Sequence, residues 1–195
     1  MMYHQFVPRP YEQKRRAEQQ EATRDRIIDA TIELHRTIGP TATTVSEIAK
    51  RAGVGRVTVY RHFPDEPTLS RACSGKYMTL HPLPDPASWE GIEAPDERLR
   101  VALRETYAYH RANEPMFRHV LADARDHPVL APYHEHWRRA AAVLTAPFGR
   151  RDKERRLLEA GIALALSFDA WRGLVGEGLS DRDAAELMIR LATCA

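Results

Sequence analysis

In the stretch GVGRVTVYRHFP, the residues Arg56, Val57, Thr58, Tyr60 and His62 have side chains that can read a nucleic acid. An arginine can donate to both N7 and O6 of a guanine, and a valine can touch a thymine methyl. A threonine can bond a base edge or a phosphate, while tyrosine and histidine can donate to backbone phosphates. The local composition points elsewhere. Val57-Thr58-Val59-Tyr60 alternates apolar and polar and is rich in β-formers, which suggests a strand. Nothing nearby alternates to give such a strand a partner, and an isolated one is not stable. A helix over Val57–His62 is therefore expected. At about 100° per residue, Val59 and Phe63 then share one side and can face the preceding helices. Val57, Thr58, Arg61 and His62 point away from that side.

Such a short reader needs elements to hold it. Before it lies TTVSEIAKRAG, in which Thr44 precedes Glu47 by three residues, the capping-box spacing. Val45, Ile48, Ala49 and Ala52 make one apolar face, and Gly53 suits a left-handed turn after the helix. This helix is barely two turns long, so it must pack on neighbours. An amphipathic helix is expected from about Ala22 to Ile38, on the spacing of Ile27, Ala30, Thr31, Leu34 and Ile38, with Gly39-Pro40 as its stop. Asp65 can cap a further helix from Glu66 to about Leu80, with Pro67 in its first turn. Two short elements joined by a glycine turn after a longer helix make a helix-turn-helix.

The stretch TVSEIAKRAGVGRVTVYRHFPDEPTL resembles the N-terminal DNA-binding region of TetR-family transcriptional regulators, over roughly residues 24–72. The resemblance implies an all-α fold: an N-terminal three-helix helix-turn-helix domain and a larger C-terminal helical domain for ligand binding and dimerisation. It also implies a homodimer on a palindromic operator in double-stranded DNA, and a repressor released by a small-molecule ligand. Residue by residue, Thr44 matches a phosphate contact at the start of the second helix, and Ser46 a position that can face the groove. Arg56, Val57 and Thr58 match base-proximal positions, and Tyr60 and His62 match backbone contacts. Glu66 departs from the pattern, because the family commonly carries a lysine there. A lysine would meet a phosphate and Glu66 would repel one; Lys76, Arg24 or the run Lys14–Arg16 are the cations that can compensate. The alternative is a helical architectural or partner-recruiting DNA-binding protein without an inducer.

The expected organisation is a flexible basic arm over residues 1–20, the DNA-binding domain with its connecting helix over 21–80, a proline-rich linker over 81–95 and a helical domain over 96–195. Within the last, helices are expected near 96–112, 115–125, 128–146, 152–176 and 181–193. The helix 152–176 is apolar on every side, so it needs burial on every side. Pairing of 152–176 and 181–193 with their symmetry mates in a twofold four-helix interface would provide that burial. Tyr107, His110, Phe117, Trp137, Phe168 and Trp171 are the candidates to line a ligand pocket, with Asp169, His110 or Arg111 as polar anchor. For any one of these aromatics, ordinary core packing is the favoured reading.

Other functions find less support. Residues 1–76 carry 13 Lys and Arg against 9 Asp and Glu, whereas residues 77–195 carry 16 against 18, so the basic excess lies where the reader lies. No glycine-rich phosphate loop or nucleophile motif is present, and neither an enzyme nor a cofactor is expected. His119, Asp123 and His127 are spaced by four, but Pro128 ends that helix, and His134 and His136 fall about 200° apart, so no metal site is expected. Cys73 and Cys194 show no disulfide framework and fit a reducing cytosol. No signal peptide or membrane span is read, and a cytoplasmic location is expected.

Overall fold

A computed structural model describes residues 10–124 and 126–194. Among the described residues the chain is helical, with short 3-10 turns and no strand. It divides into two compact units, Met1–Thr79 and Leu80–Ala195.

In the first unit the helices are α1 (Pro10–Ile38), α2 (Val45–Ala52), α3 (Arg56–His62) and α4 (Glu66–Leu80), the last ending at the border of the units. Ile27, Ile28 and Leu34 of α1 meet Ile48 and Ala49 of α2, Val59 of α3, Phe63, and Leu69 and Cys73 of α4 in one buried cluster. The β-formers of α3 are therefore helical, because Val59 and Phe63 have a core to enter. That burial outweighs a propensity cost of a few tenths of a kcal/mol per β-branched residue. The flexible arm expected over residues 1–20 is corrected: from Pro10 onward the chain already belongs to α1, and residues 1–9 lie outside the described residues. This first part of α1 has no apolar stripe to betray it. It is built from strong helix formers, with Lys14 and Glu18 paired one turn apart at 4.0 Å.

The second unit contains a 3-10 turn at Pro86–Trp89, then α5 (Pro95–Asp123), α6 (Ala131–Thr145), α7 (Asp152–Ala165), α8 (Phe168–Gly176) and α9 (Asp181–Thr193). Helix α9 packs on α5, α7 and α8, and α6 packs on α7. Three expectations change here. The proline-rich segment 81–95 is no loose tether, because Trp89 is buried and its indole donates to Glu105 at 2.8 Å, and Arg98 holds the carbonyls of Glu90 and Ile92. The helices expected at 96–112 and 115–125 are one, α5, which continues through Pro115. Burial of Met116 and Phe117 beyond the proline sustains it against a break that costs about 3 kcal/mol. The single helix expected over 152–176 is two, parted at Leu166 and Ser167. Ser167 caps α8 by accepting from the Ala170 amide at 3.2 Å.

Candidate functional site

Helix α2 is set by its own first residues. The Glu47 amide donates to Thr44 Oγ1 at 3.2 Å, while the Thr44 amide and hydroxyl donate to Glu47 Oε2 at 2.9 and 2.8 Å. These bonds from Thr44 hold the Glu47 carboxyl below its usual pKa. The helix ends at Gly53, whose φ of 65° is the left-handed turn that a side chain would strain. Helix α3 then follows Gly55, beginning at Arg56, and carries Val59 inward.

The outer side of α3 holds most of the expected readers. Arg56, Val57 and Tyr60 are exposed, Val57 at 81%, and Thr58 is half-buried. Val59, two residues on, is buried, so Val57 stands on the side of α3 away from the core. Ser46 is also exposed, on α2. His62 behaves differently, since its Nε2 is buried and meets no partner, so that nitrogen is not offered to the surface. Thr44 is exposed, yet its hydroxyl and amide are both spent on Glu47, so a phosphate can gain its donors only by displacing that carboxylate. Arg61, which the spacing places on the outer side without assigning it a contact, is a further exposed cation. It lies four residues after Val57, one turn along the same face.

Around this surface the charges are partly committed. Lys76 lies 2.6 Å from Asp29, Arg24 stacks on the Phe63 ring at 5.1 Å, and Lys14 pairs with Glu18. Of the cations expected to offset Glu66, Lys76, Arg24 and Lys14 thus already have partners within the first unit. Glu66 itself accepts from the Ser70 hydroxyl in the first turn of α4, where Asp65 caps the helix by accepting from the Thr68 amide at 2.7 Å. Two carboxylates at a helix N-terminus suit its dipole, which gives Glu66 a structural reason independent of DNA.

In the second unit, Tyr107, His110, Phe117, Trp137, Phe168 and Trp171 do come together. The His110 ring centroid lies 5.6 Å from those of Trp137 and Phe168, 5.8 Å from Trp171 and 6.3 Å from Tyr107 and Phe117. Tyr109 joins them at 6.2 Å. The Tyr107 hydroxyl donates to the Ala165 carbonyl and His110 Nε2 to the Leu166 carbonyl, each at 3.0 Å. These carbonyls stand where α7 stops, so two side chains of α5 satisfy the break between α7 and α8. Burial holds the His110 pKa down at about 4, against the bond to Leu166 and the field of Asp181. Arg111 clasps Asp181 with two bonds of 2.6 Å, and the Trp171 indole donates to the same carboxylate at 2.9 Å. Arg111 is therefore committed as a polar anchor for α9. Asp169 is exposed. His127 is spent as a cap, its Nδ1 accepting from the Val129 amide at 3.2 Å. Among the described residues no helix is long and apolar enough to cross a membrane.

Comparison with known proteins agrees with this geometry. Residues 27–69 match the profile of the bacterial regulatory proteins, tetR family. The HTH-type transcriptional regulator SrpR of Pseudomonas putida is 34% identical over 109 residues, covering 55% of this chain and 49% of SrpR. The match thus spans about half the length of that relative. A TetR-like transcriptional regulator from Rhodococcus sp. RHA1 shares the fold at 18% identity, with a TM-score of 0.62 over 87% of this chain and 93% of its own. The fatty acid degradation regulator FadR from Bacillus halodurans does so at 18% identity, with a TM-score of 0.60 over 87% and 94%. Residues 27–69 thus match the tetR family of bacterial regulatory proteins, and the chain as a whole shares the helical fold of TetR-like regulators.

Proposed function

We propose that the protein is a DNA-binding transcriptional regulator in the cytoplasm. It acts as a homodimer on a palindromic operator, as a repressor released by a small molecule. The observation that carries DNA binding is the outer face of α3, where Arg56, Val57, Tyr60 and Arg61 are exposed above a buried Val59. Arg56 and Val57 read base edges, Thr58 and Ser46 border them, and Tyr60 donates to a phosphate. Thr44 fixes the angle of α2 as a cap, and a phosphate contact from it requires Glu47 to move aside.

Dimerisation is supported by α7 and α9. Leu157, Ala160 and Leu164 lie along one side of α7 and are exposed, Leu164 at 58%, while Leu158, Ile162 and Ala165 fill the core. Leu191 of α9 is exposed at 59%. These residues suit a second copy of the chain across a twofold axis. Two copies give two readers, whose spacing requires a palindrome.

The test is selection of bound duplexes from a random pool at moderate salt. Recovery of two inverted half-sites supports the reading. General duplex affinity without a preferred sequence would remove the operator and favour an architectural role.

A further inference from the structure

The imidazole of His110 has one nitrogen too many for its surroundings. Its Nε2 lies 3.0 Å from the Leu166 carbonyl, and a carbonyl only accepts, so Nε2 carries the proton. The ring is fully buried, which keeps it neutral at physiological pH. Nδ1 is then a bare lone pair inside the aromatic cluster, and no donor reaches it. One turn earlier on the same face of α5, the buried hydroxyl of Thr106 also has no partner. Folded cores seldom leave buried polar atoms unpaired, so two on one face of α5 call for an explanation.

The surroundings say what that would be. Three donors beside His110 are spent, Tyr107 on Ala165, and Trp171 and Arg111 on Asp181, while the buried Trp137 indole N–H has no hydrogen-bond partner. A carboxylate would meet a lone pair and find no free cation. The walls are ring faces and edges, which suit a flat apolar body. Trp137 is the half-buried wall of the cluster. Its indole lies 5.6 Å from His110 between ring centroids.

We propose that the His110 cluster binds a small planar aromatic molecule that carries a hydroxyl or N–H donor and no negative charge, with His110 Nδ1 accepting the donor. This rests on the reading that the second unit receives a small molecule, and it names the class.

The experiment uses the full chain and three probes on one scaffold: 2-naphthol, 2-methoxynaphthalene and 2-naphthoate, each measured by equilibrium dialysis. The expected result is that 2-naphthol binds about tenfold or more tighter than either of the others. His110→Phe should erase that preference while 2-methoxynaphthalene still binds. Long-range ¹H–¹⁵N spectra of the wild-type chain provide a readout that does not depend on the variant folding. The free protein should show His110 protonated on Nε2 alone, and 2-naphthol should shift the Nδ1 resonance. Equal or tighter binding of the ether or the acid, no binding of 2-naphthol, or a preference that survives His110→Phe would overturn the proposal. Duplex selection without ligand separates the two readings. A chain that selects a palindrome but shows no naphthol preference keeps the DNA reading and loses this one. A chain that prefers naphthol yet selects no sequence does the reverse.

Discussion

Gly161 of α7 lies against Ala192 of α9 so closely that a Cβ on the glycine would stand 3.2 Å from the Ala192 Cα and 3.3 Å from its Cβ. The neighbour is largely backbone and cannot swing away. Gly161→Leu should therefore push the two helices apart and cost about 1–3 kcal/mol of stability. In Gly161→Ala the tight contact is set against a gain of about 1 kcal/mol in helix propensity, so its stability should stay within about 1 kcal/mol of the parent. Chemical denaturation of both variants checks the pair. A Leu variant as stable as the parent would mean that α7 and α9 are free to separate.

His110 gives stability a pH dependence of known sign. Its pKa is about 4 when folded, against an ordinary 6.5. The unfolded chain thus takes up the proton first as pH falls. Stability from this group is complete above about pH 6.5 and declines down to about pH 4, by about 3 kcal/mol in all. His110→Phe should flatten the dependence between about pH 7 and about pH 4.5. Denaturant midpoints across that window measure it, and an unchanged slope in the variant would assign the effect to other groups.

On DNA, Arg56→Ala should cost about 1–3 kcal/mol and relax selectivity at one base position. Tyr60→Phe removes only a donor to phosphate and should weaken binding evenly across sequences. Affinities on the selected operator and its single-base variants distinguish the two. Unchanged selectivity after Arg56→Ala would take base reading away from that residue.

Thr44→Ala removes the acceptor for the Glu47 amide and the donor to its carboxylate, so α2 should lose about 1 kcal/mol of stability. Thr44→Ser keeps both and should restore it. If Thr44→Ala weakened DNA binding but left thermal stability unchanged, the threonine would be a phosphate contact first and a cap second.

Leu164→Glu places a charge on the exposed apolar side of α7 without entering the core. The wild-type chain should sediment as a dimer at micromolar concentration and the variant as a monomer with unchanged helical content. A wild-type monomer would sink the proposed interface.

Residue types and spacing determined much of the first unit. Capping by Thr44 and Glu47, the glycine turn at Gly53 and the inward pair Val59 and Phe63 are local relations spanning a few residues, so they are readable before any packing is known. The aromatic set of the second unit was legible as a list of residues. Its arrangement was not, because Tyr107 and His110 act on carbonyls of Ala165 and Leu166 more than fifty residues away. The break between α7 and α8 was invisible for the same reason: the local sequence is apolar and helix-forming throughout, and the partners that make an interruption affordable belong to α5. Pro115 misled in the opposite direction, since a helix stop by local rules is overruled by the burial of Met116 and Phe117. Local hydrogen bonding and periodicity are properties of neighbouring residues, and the sequence alone determined them here. Which carbonyls are capped, which donors are spent and which lone pair is left bare depend on groups far apart in the chain, and only the tertiary structure decided them.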